Sequence, residues 1–222
     1  MTPTVDLVVP VKPLGAAKSR LRGAADHGIG EAGAHARLAL ALAHDTLTAV
    51  RAAGRVRHLL VISSDPVVAV EFAAVGVEVV PDGPVPGLNA AYERGAALLR
   101  DRDPAAAVGA LQADLPALRP AELDAAVAAA VAAFGAGLAL RAFCADAEGT
   151  GTTFLLAAPG TALKPQFGAG SARRHRDSGA RPLAGDWPGL RCDVDTSDDL
   201  CHAGELGLGA HTREVLAPCP RC

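Results

Sequence analysis

Aromatic side chains make up only 3% of this 222-residue chain, one Trp, one Tyr and five Phe. That scarcity excludes a base-stacking platform for single-stranded nucleic acid, so no nucleic acid partner is expected. Charge of one sign is lacking too: the net charge is −3. No basic field covers the molecule, and any anion site has to be built locally from Lys, Arg, backbone N–H groups or a metal ion. No apolar run reaches the length of a membrane span, and Asp6 sits where a signal peptide would need apolar residues after a basic start. A cytoplasmic protein without a membrane partner is expected. The five cysteines are an odd number at scattered spacings, which fits reduced thiols better than a disulfide framework. Cys219 and Cys222 form a lone C-x-x-C with no second pair, read as an incidental tail. No G-x-x-x-x-G-K-[ST] occurs, no G-x-G-x-x-G directly follows the first strand, and no serine lies in a nucleophile elbow. Walker-type, dinucleotide-binding and covalent hydrolase readings are disfavoured accordingly.

What the chain does have is aliphatic: half of it is hydrophobic, dominated by Ala, Val and Leu. Its length suits one α/β domain that buries roughly 70% of its unfolded surface. That domain is expected over residues 1–210, with 211–222 as a C-terminal tail. Short apolar runs at Val5–Val11, Val56–Ile62, Val77–Val80, Ala105–Leu111, Leu138–Phe143 and Phe154–Ala158 read as strands. Helical spacing covers 31–53, 67–74, 87–100, 121–133 and 197–206. Strands alternating with helices imply a three-layer α/β fold on a mostly parallel sheet.

The chemistry gathers at a few stretches. In LQADLP from Leu111, Leu115 precedes a proline and is pushed to extended geometry, so the strand runs out near Asp114. Asp114 then lies at the carboxyl end of the sheet, where open α/β folds bind ligands. In RCDVDT from Arg191, a strand into Asp193 is expected, and Asp193 and Asp195 share a face if it is extended. Mg²⁺ is usually held by one or two carboxylates plus substrate phosphates, which makes Asp114, Asp193 and Asp195 a candidate set. Asp195 also reads as a cap for the last helix. KPLGAAKSR from Lys12 is either a polyphosphate clamp through Lys12, Lys18 and Arg20 or a solvated basic loop. GTGTT from Gly149 and GAGS from Gly168, the latter followed by Arg173, Arg174, His175 and Arg176, suit close approach of an anion. His175 is placed beside that anion site without a proton-transfer role.

These residues together resemble the phosphoenolpyruvate and 2-phospho-L-lactate guanylyltransferase family, which makes the guanylyl intermediate of the deazaflavin coenzyme F-420. The resemblance rests on VPVKPLGAAKSRL from Val9, GLNAA from Gly87, LQADLPAL, GTGTT, FGAGSARRH from Phe167 and RCDVDTSDDL, in that order along nearly the whole chain. It implies a nucleotidyltransferase fold and transfer of GMP from GTP to a phosphorylated three-carbon acid, with diphosphate released and Mg²⁺ as cofactor. It implies Asp114 and Asp193 as metal carboxylates, and Thr152 or Thr153, Gly168 and Ser171 as contacts of the acid, with Arg174 and His175 alongside. Lys12, Lys18 and Arg20 match the triphosphate loop, Lys18 being counted among the catalytic groups, and Gly87, Leu88 and Asn89 match the nucleotide cleft. A composition rich in Ala, Arg and Gly suits a high-GC bacterial source, which makes phosphoenolpyruvate the expected acceptor over 2-phospho-L-lactate. Three rivals compete: a molybdenum-cofactor or sugar-phosphate nucleotidyltransferase, a glycosyltransferase using Asp193-Val-Asp195, and a non-catalytic GTP sensor. The first-strand loop is a poor match to the first, the D-x-D lies too near the C-terminus for the second, and a sensor needs no second anion site.

Overall fold

The computed structural model describes residues 4–15, 21, 24 and 31–217. Strands β1 (Val5–Pro10), β2 (Val56–Ile62), β3 (Glu78–Val80), β4 (Ala107–Leu111), β5 (Arg141–Ala145), β6 (Thr152–Ala157) and β7 (Arg181–Pro182) form one sheet in the order β3-β2-β1-β4-β6-β5-β7. Strands β1 to β4 pair in parallel, and β6 runs antiparallel between β4 and β5. The sheet is mostly parallel, as the alternation of strands and helices implies.

Helices cover both faces. On one, α1 (Ala32–Ala52), α2 (Pro66–Ala74) and α4 (Pro120–Gly135) bury Leu47, Phe72 and Leu123 against Val5, Leu7 and Val9 of β1. On the other, α3 (Leu88–Arg102) and α5 (Ser171–Asp177) bury Tyr92, Ala96 and Ala172 against Val8, Leu60 and Leu155. The period-2 alternation of β1 thus feeds two cores, which is the three-layer arrangement. Asp6, an acid inside that apolar strand, is 1% exposed and accepts two hydrogen bonds from Arg57, at 2.9 and 2.8 Å. Gly95 is what lets α3 lie close to β1: a Cβ there would sit 2.4 Å from Val8 Cγ1.

Three sequence expectations are corrected. No strand leads into Asp193. Instead Pro188 opens a short helix, α6 (Pro188–Arg191), whose Gly189 and Leu190 N–H groups donate to the Glu122 carboxylate on α4. Proline at the first helical position and an acceptor for the next N–H groups favour a helical turn over extension. Secondly, β5 begins at Arg141 and not at Leu138, because Gly137, at φ 68°, terminates α4 and leaves Leu138 and Leu140 exposed. Thirdly, the stretch beginning at 211 is largely helix: α8 (Ala210–Leu216) packs on α1. Its first N–H groups, from His211 and Thr212, donate to Asp45 at 3.0 and 2.8 Å. Cys219 to Cys222 lie outside the described residues.

Candidate active site

A cavity of about 500 Å³ opens beyond the carboxyl ends of β1 and β4. The chain leaves β1 toward β2 on one side while β4 adds on the other, so this is the crevice where open α/β sheets bind ligands. Pro10 ends β1 in its wall, Val11 and Lys12 follow, and Gln112, Ala113 and Asp114 follow β4. Lys18 and Arg20 lie outside the described residues.

Asp114 is fixed through its backbone. Thr46, buried in α1, shares its hydroxyl proton between the Leu42 and Ala113 carbonyls, at 2.9 and 3.0 Å, and accepts from Leu115 N–H at 2.9 Å. The residues on either side of Asp114 are therefore held by one side chain. Val194 N–H donates to the Asp114 carbonyl at 3.0 Å, which draws the Asp193–Asp195 segment up to it. Asp114, Asp193 and Asp195 all line the cavity. Among the described residues, however, no three His, Cys, Asp or Glu side chains form a ready-made metal centre. The three expected carboxylates share the cavity without forming such a group. Helix α7 (Ser197–Leu206) is capped by Thr196, whose hydroxyl accepts from Asp199 N–H while Asp199 accepts from Thr196 N–H. This capping box replaces the expected cap by Asp195, which donates its own N–H to Asp199.

The opposite wall comes from β6 and the turn before α5. Strand β6 carries a bulge: Cys144 pairs with Phe154 but Ala145 with Thr152, so Thr153 is the extra residue. One inserted residue reverses the side-chain alternation. Thr152 consequently faces the cavity, whereas Thr153 is fully buried beside Cys144 on the other face. Of the two threonines expected at the site, only Thr152 is placed there. Gly168 and Ser171 line the cavity with it, and the Ser171 hydroxyl lies 3.1 Å from that of Thr152. Gly168, at φ 116°, and Gly170, at φ 71°, take backbone conformations that a side chain would strain.

Four predicted site residues sit behind the wall and hold it. His175 is completely buried, 2.9 Å from the Thr152 hydroxyl. Burial, aided by the charges of Arg141 and Arg174, pushes its imidazole down to about 4, so it is neutral at ordinary pH. Arg174 donates to the carbonyls of Ala169 and Gln166 and stitches the turn together. Asn89 donates to the Phe167 carbonyl at 3.2 Å and accepts from Phe167 N–H at 2.8 Å. Gly87, at φ 115°, starts α3, whose first residue, Leu88, does line the cavity. The contacts expected from Arg174, His175 and Asn89 are replaced by support of the 166–171 turn.

Sequence reasoning missed Asp146 and Glu148, which line the cavity together with Thr150 and Gly151 of the GTGTT stretch. Asp146 accepts from Thr150 and Gly151 N–H, at 2.9 and 2.6 Å, and so shapes the GTGTT turn. The legible signal was its place four residues before a threonine in a glycine turn, the pattern of a carboxylate closing a loop on backbone N–H groups. It missed Asp65 as well. That side chain accepts from Leu14 N–H at 2.9 Å and caps α2 through Val67, joining the loop after β1 to a helix. The Leu14 bond, helped by those from Val67 and Val68, holds the Asp65 carboxyl below the usual carboxylate range. A lowered folded pKa means stabilisation that is complete above the unfolded value and lost as pH falls through the folded one. Asp65→Ala is expected to lower the unfolding free energy by about 1 kcal/mol at pH 7. The gap from the parent should close below about pH 4 in denaturant titrations.

With this geometry in place, the similarities to known proteins are specific. The chain is 51% identical over 212 residues to phosphoenolpyruvate guanylyltransferase of Salinispora arenicola, covering 96% of this chain and 93% of that one. Among solved structures it is similar to a candidate nucleotide-diphospho-sugar transferase of Desulfovibrio desulfuricans G20. The TM-score is 0.67 at 16% identity, over 97% of this chain and 93% of that one. It is also similar to a nucleotidyl transferase of Methanothermobacter thermautotroptrophicus, with a TM-score of 0.58 at 17% identity over 91% and 97% of the two chains. No protein-family model matches the chain. The structural likenesses bear on the fold, a nucleotidyltransferase fold, while the sequence identity bears on kinship. On that identity, sustained over almost the full length of both proteins, the chain belongs to the phosphoenolpyruvate guanylyltransferase family.

Proposed function

We propose that this protein transfers GMP from GTP to phosphoenolpyruvate and releases diphosphate. The observation that carries the reading is a single cavity with two unlike walls. Carboxylates Asp114 and Asp193 stand on one side and the hydroxyls of Thr152 and Ser171 on the other. Such a cavity suits a metal-bound nucleotide on the first wall and a small acid on the second. The name of the relative from Salinispora arenicola supports the choice of guanine and of acceptor.

The phosphate oxygen of the acid would attack the α-phosphorus of GTP in line, and diphosphate would leave. The attacking oxygen is already anionic, so no protein nucleophile or base is required and catalysis rests on positioning and charge neutralisation. The buried thiols agree with this: burial lifts both Cys144 and Cys192 to about 11, so neither is a thiolate at ordinary pH. His175, neutral and enclosed, is unsuited to exchange protons with the cleft.

Mg²⁺ fits the donor set, because oxygen ligands from one or two carboxylates plus phosphates are what it takes. Asp114 and Asp193 would hold it, and it would offset the charge that two anionic substrates bring to a cavity lined by Asp114, Asp146, Glu148, Asp193 and Asp195. Lys12 would face the triphosphate. The proposal puts the reaction in the cytoplasm, where GTP is available.

The deciding experiment is diphosphate release with GTP and Mg²⁺, comparing phosphoenolpyruvate, 2-phospho-L-lactate and no acceptor. Release with phosphoenolpyruvate alone is expected. Release with 2-phospho-L-lactate alone would keep the mechanism and exchange the acceptor, and no release with either would overturn the reading.

A further inference from the structure

The wall assigned to the acid contains a hydrogen-bond chain whose direction is fixed from behind. Thr152, Ser171 and His175 are 2%, 1% and 0% exposed, so each polar hydrogen among them has to be accounted for. Gln166 N–H donates to His175 Nε2 at 2.9 Å. A backbone N–H has no alternative role, so Nε2 carries the lone pair and the proton of the neutral ring is on Nδ1. Nδ1–H then donates to the Thr152 hydroxyl oxygen at 2.9 Å. Thr152 and Ser171 are 3.1 Å apart and own two hydroxyl protons, of which one closes the bond between them. The other has no acceptor within the chain of three. Both hydroxyls line the cavity, so this last proton is presented to it.

We propose that His175 is a positioning residue: by donating to Thr152 it makes the Thr152–Ser171 pair a net hydrogen-bond donor to an anionic oxygen of the acceptor substrate. The ligand half of this statement rests on the assignment of that wall to the acid, made above. Without the Nδ1 donor, a Thr152 lone pair is left unsatisfied and the pair is free to turn a hydroxyl proton inward. The cleft would then offer a lone pair to a carboxylate or phosphate, which is repulsive. A protonated ring is excluded by the same geometry, since an Nε2–H would confront the Gln166 N–H. The turn around the ring reinforces this orientation. Phe167 meets it edge-on, with centroids 5.3 Å apart, and Phe143 packs at 5.8 Å.

The test compares two amides. In His175→Asn the side-chain NH₂ takes the place of Nδ1–H and keeps the donor, whereas in His175→Gln the amide reaches the Nε2 position and the donor toward Thr152 is lost. His175→Gln is expected to raise the KM for phosphoenolpyruvate about tenfold, the worth of one hydrogen bond to a charged group. His175→Asn should stay within about threefold of the parent, and the KM for GTP should move in neither. Thr152→Val with His175→Gln should be no worse than Thr152→Val alone, because both act through one hydroxyl. Equal effects of Asn and Gln, or additive effects in the double variant, would overturn the positioning role. Ser171→Ala separates the two halves of the claim. If it and His175→Gln both move the KM for GTP instead, the positioning stands and the acid assignment falls. If Ser171→Ala moves the KM for the acid and His175→Gln does not, the positioning role falls alone. Should the variants fail to fold, ¹⁵N-histidine NMR of the parent decides: the His175 ring is expected as the neutral Nδ1–H form at pH 7. An Nε2–H or imidazolium signal would refute the proposal.

Discussion

Asp114→Asn is expected to lower the rate of diphosphate release about a thousandfold or more, with Asp193→Asn close behind. The asparagine keeps the size and one oxygen of the side chain but removes the negative charge that would hold a divalent ion against the phosphates. The backbone around position 114 should not shift, because Thr46 and Val194 bind it through main-chain groups that the substitution leaves in place. Unfolding free energy is therefore expected within about 1 kcal/mol of the parent, in the range of substitutions that remove no packing. Steady-state rates at saturating GTP and Mg²⁺, together with a denaturant titration, check both halves. Parent-like turnover in either variant would remove that carboxylate from the reaction.

Gly189→Ala should act on the same carboxylates from a distance. A Cβ at 189 would lie 2.2 Å from the carbonyl oxygen of Ala117 and 2.6 Å from Glu122. The first of these atoms is backbone and cannot turn aside. Helix α6 would have to move off α4, stretching the bonds from Gly189 and Leu190 N–H to Glu122. Overpacking of this kind costs about 3 kcal/mol. Asp193 follows two residues after α6, so a displacement of about 1 Å there should also lower turnover about a hundredfold. Thermal unfolding and diphosphate release on the same preparation would show both losses. A variant as stable as the parent would mean that α6 has slack the packing does not reveal.

Much of the fold was legible because periodicity and punctuation agree along the chain. The run Val56–Ile62 is a strand and the run at 197–206 a helix, each over its whole expected span. Asp114 was legible too: a buried strand approaching a proline has to end before it, and β4 ends at Leu111, three residues short of Asp114. The irregular segments were harder. Asp193 and Asp195 line the cavity, but the turn that delivers them depends on Glu122, far away in sequence, accepting two N–H groups. No local pattern announces such a partner. The threonines show the limit most clearly. One of the two was expected to touch the acid, and a bulge decides between them by turning Thr152 toward the cavity and Thr153 into the core. A bulge is set by the pairing of β5 with β6, which neither strand's own residues reveal. His175 was expected in the cleft because it neighbours Ser171 in sequence, yet helical geometry carries it behind the wall.

The antiparallel strand in the middle of the sheet also dictates an order of assembly. Strands β1 to β4 can join once β4 has emerged from the ribosome, but β5 has no native place beside them until β6 arrives to lie between. A chain that has emerged as far as residue 151 therefore carries β4, whose residues from Ala107 to Leu111 are all buried in the finished fold, with one edge open. An apolar strand in that state is a template for pairing with another nascent chain. The insertion of β6 closes this edge and, in the same event, brings Thr152 to the cavity, so the strand that completes one wall of the cavity also ends the exposure of β4 to such pairing.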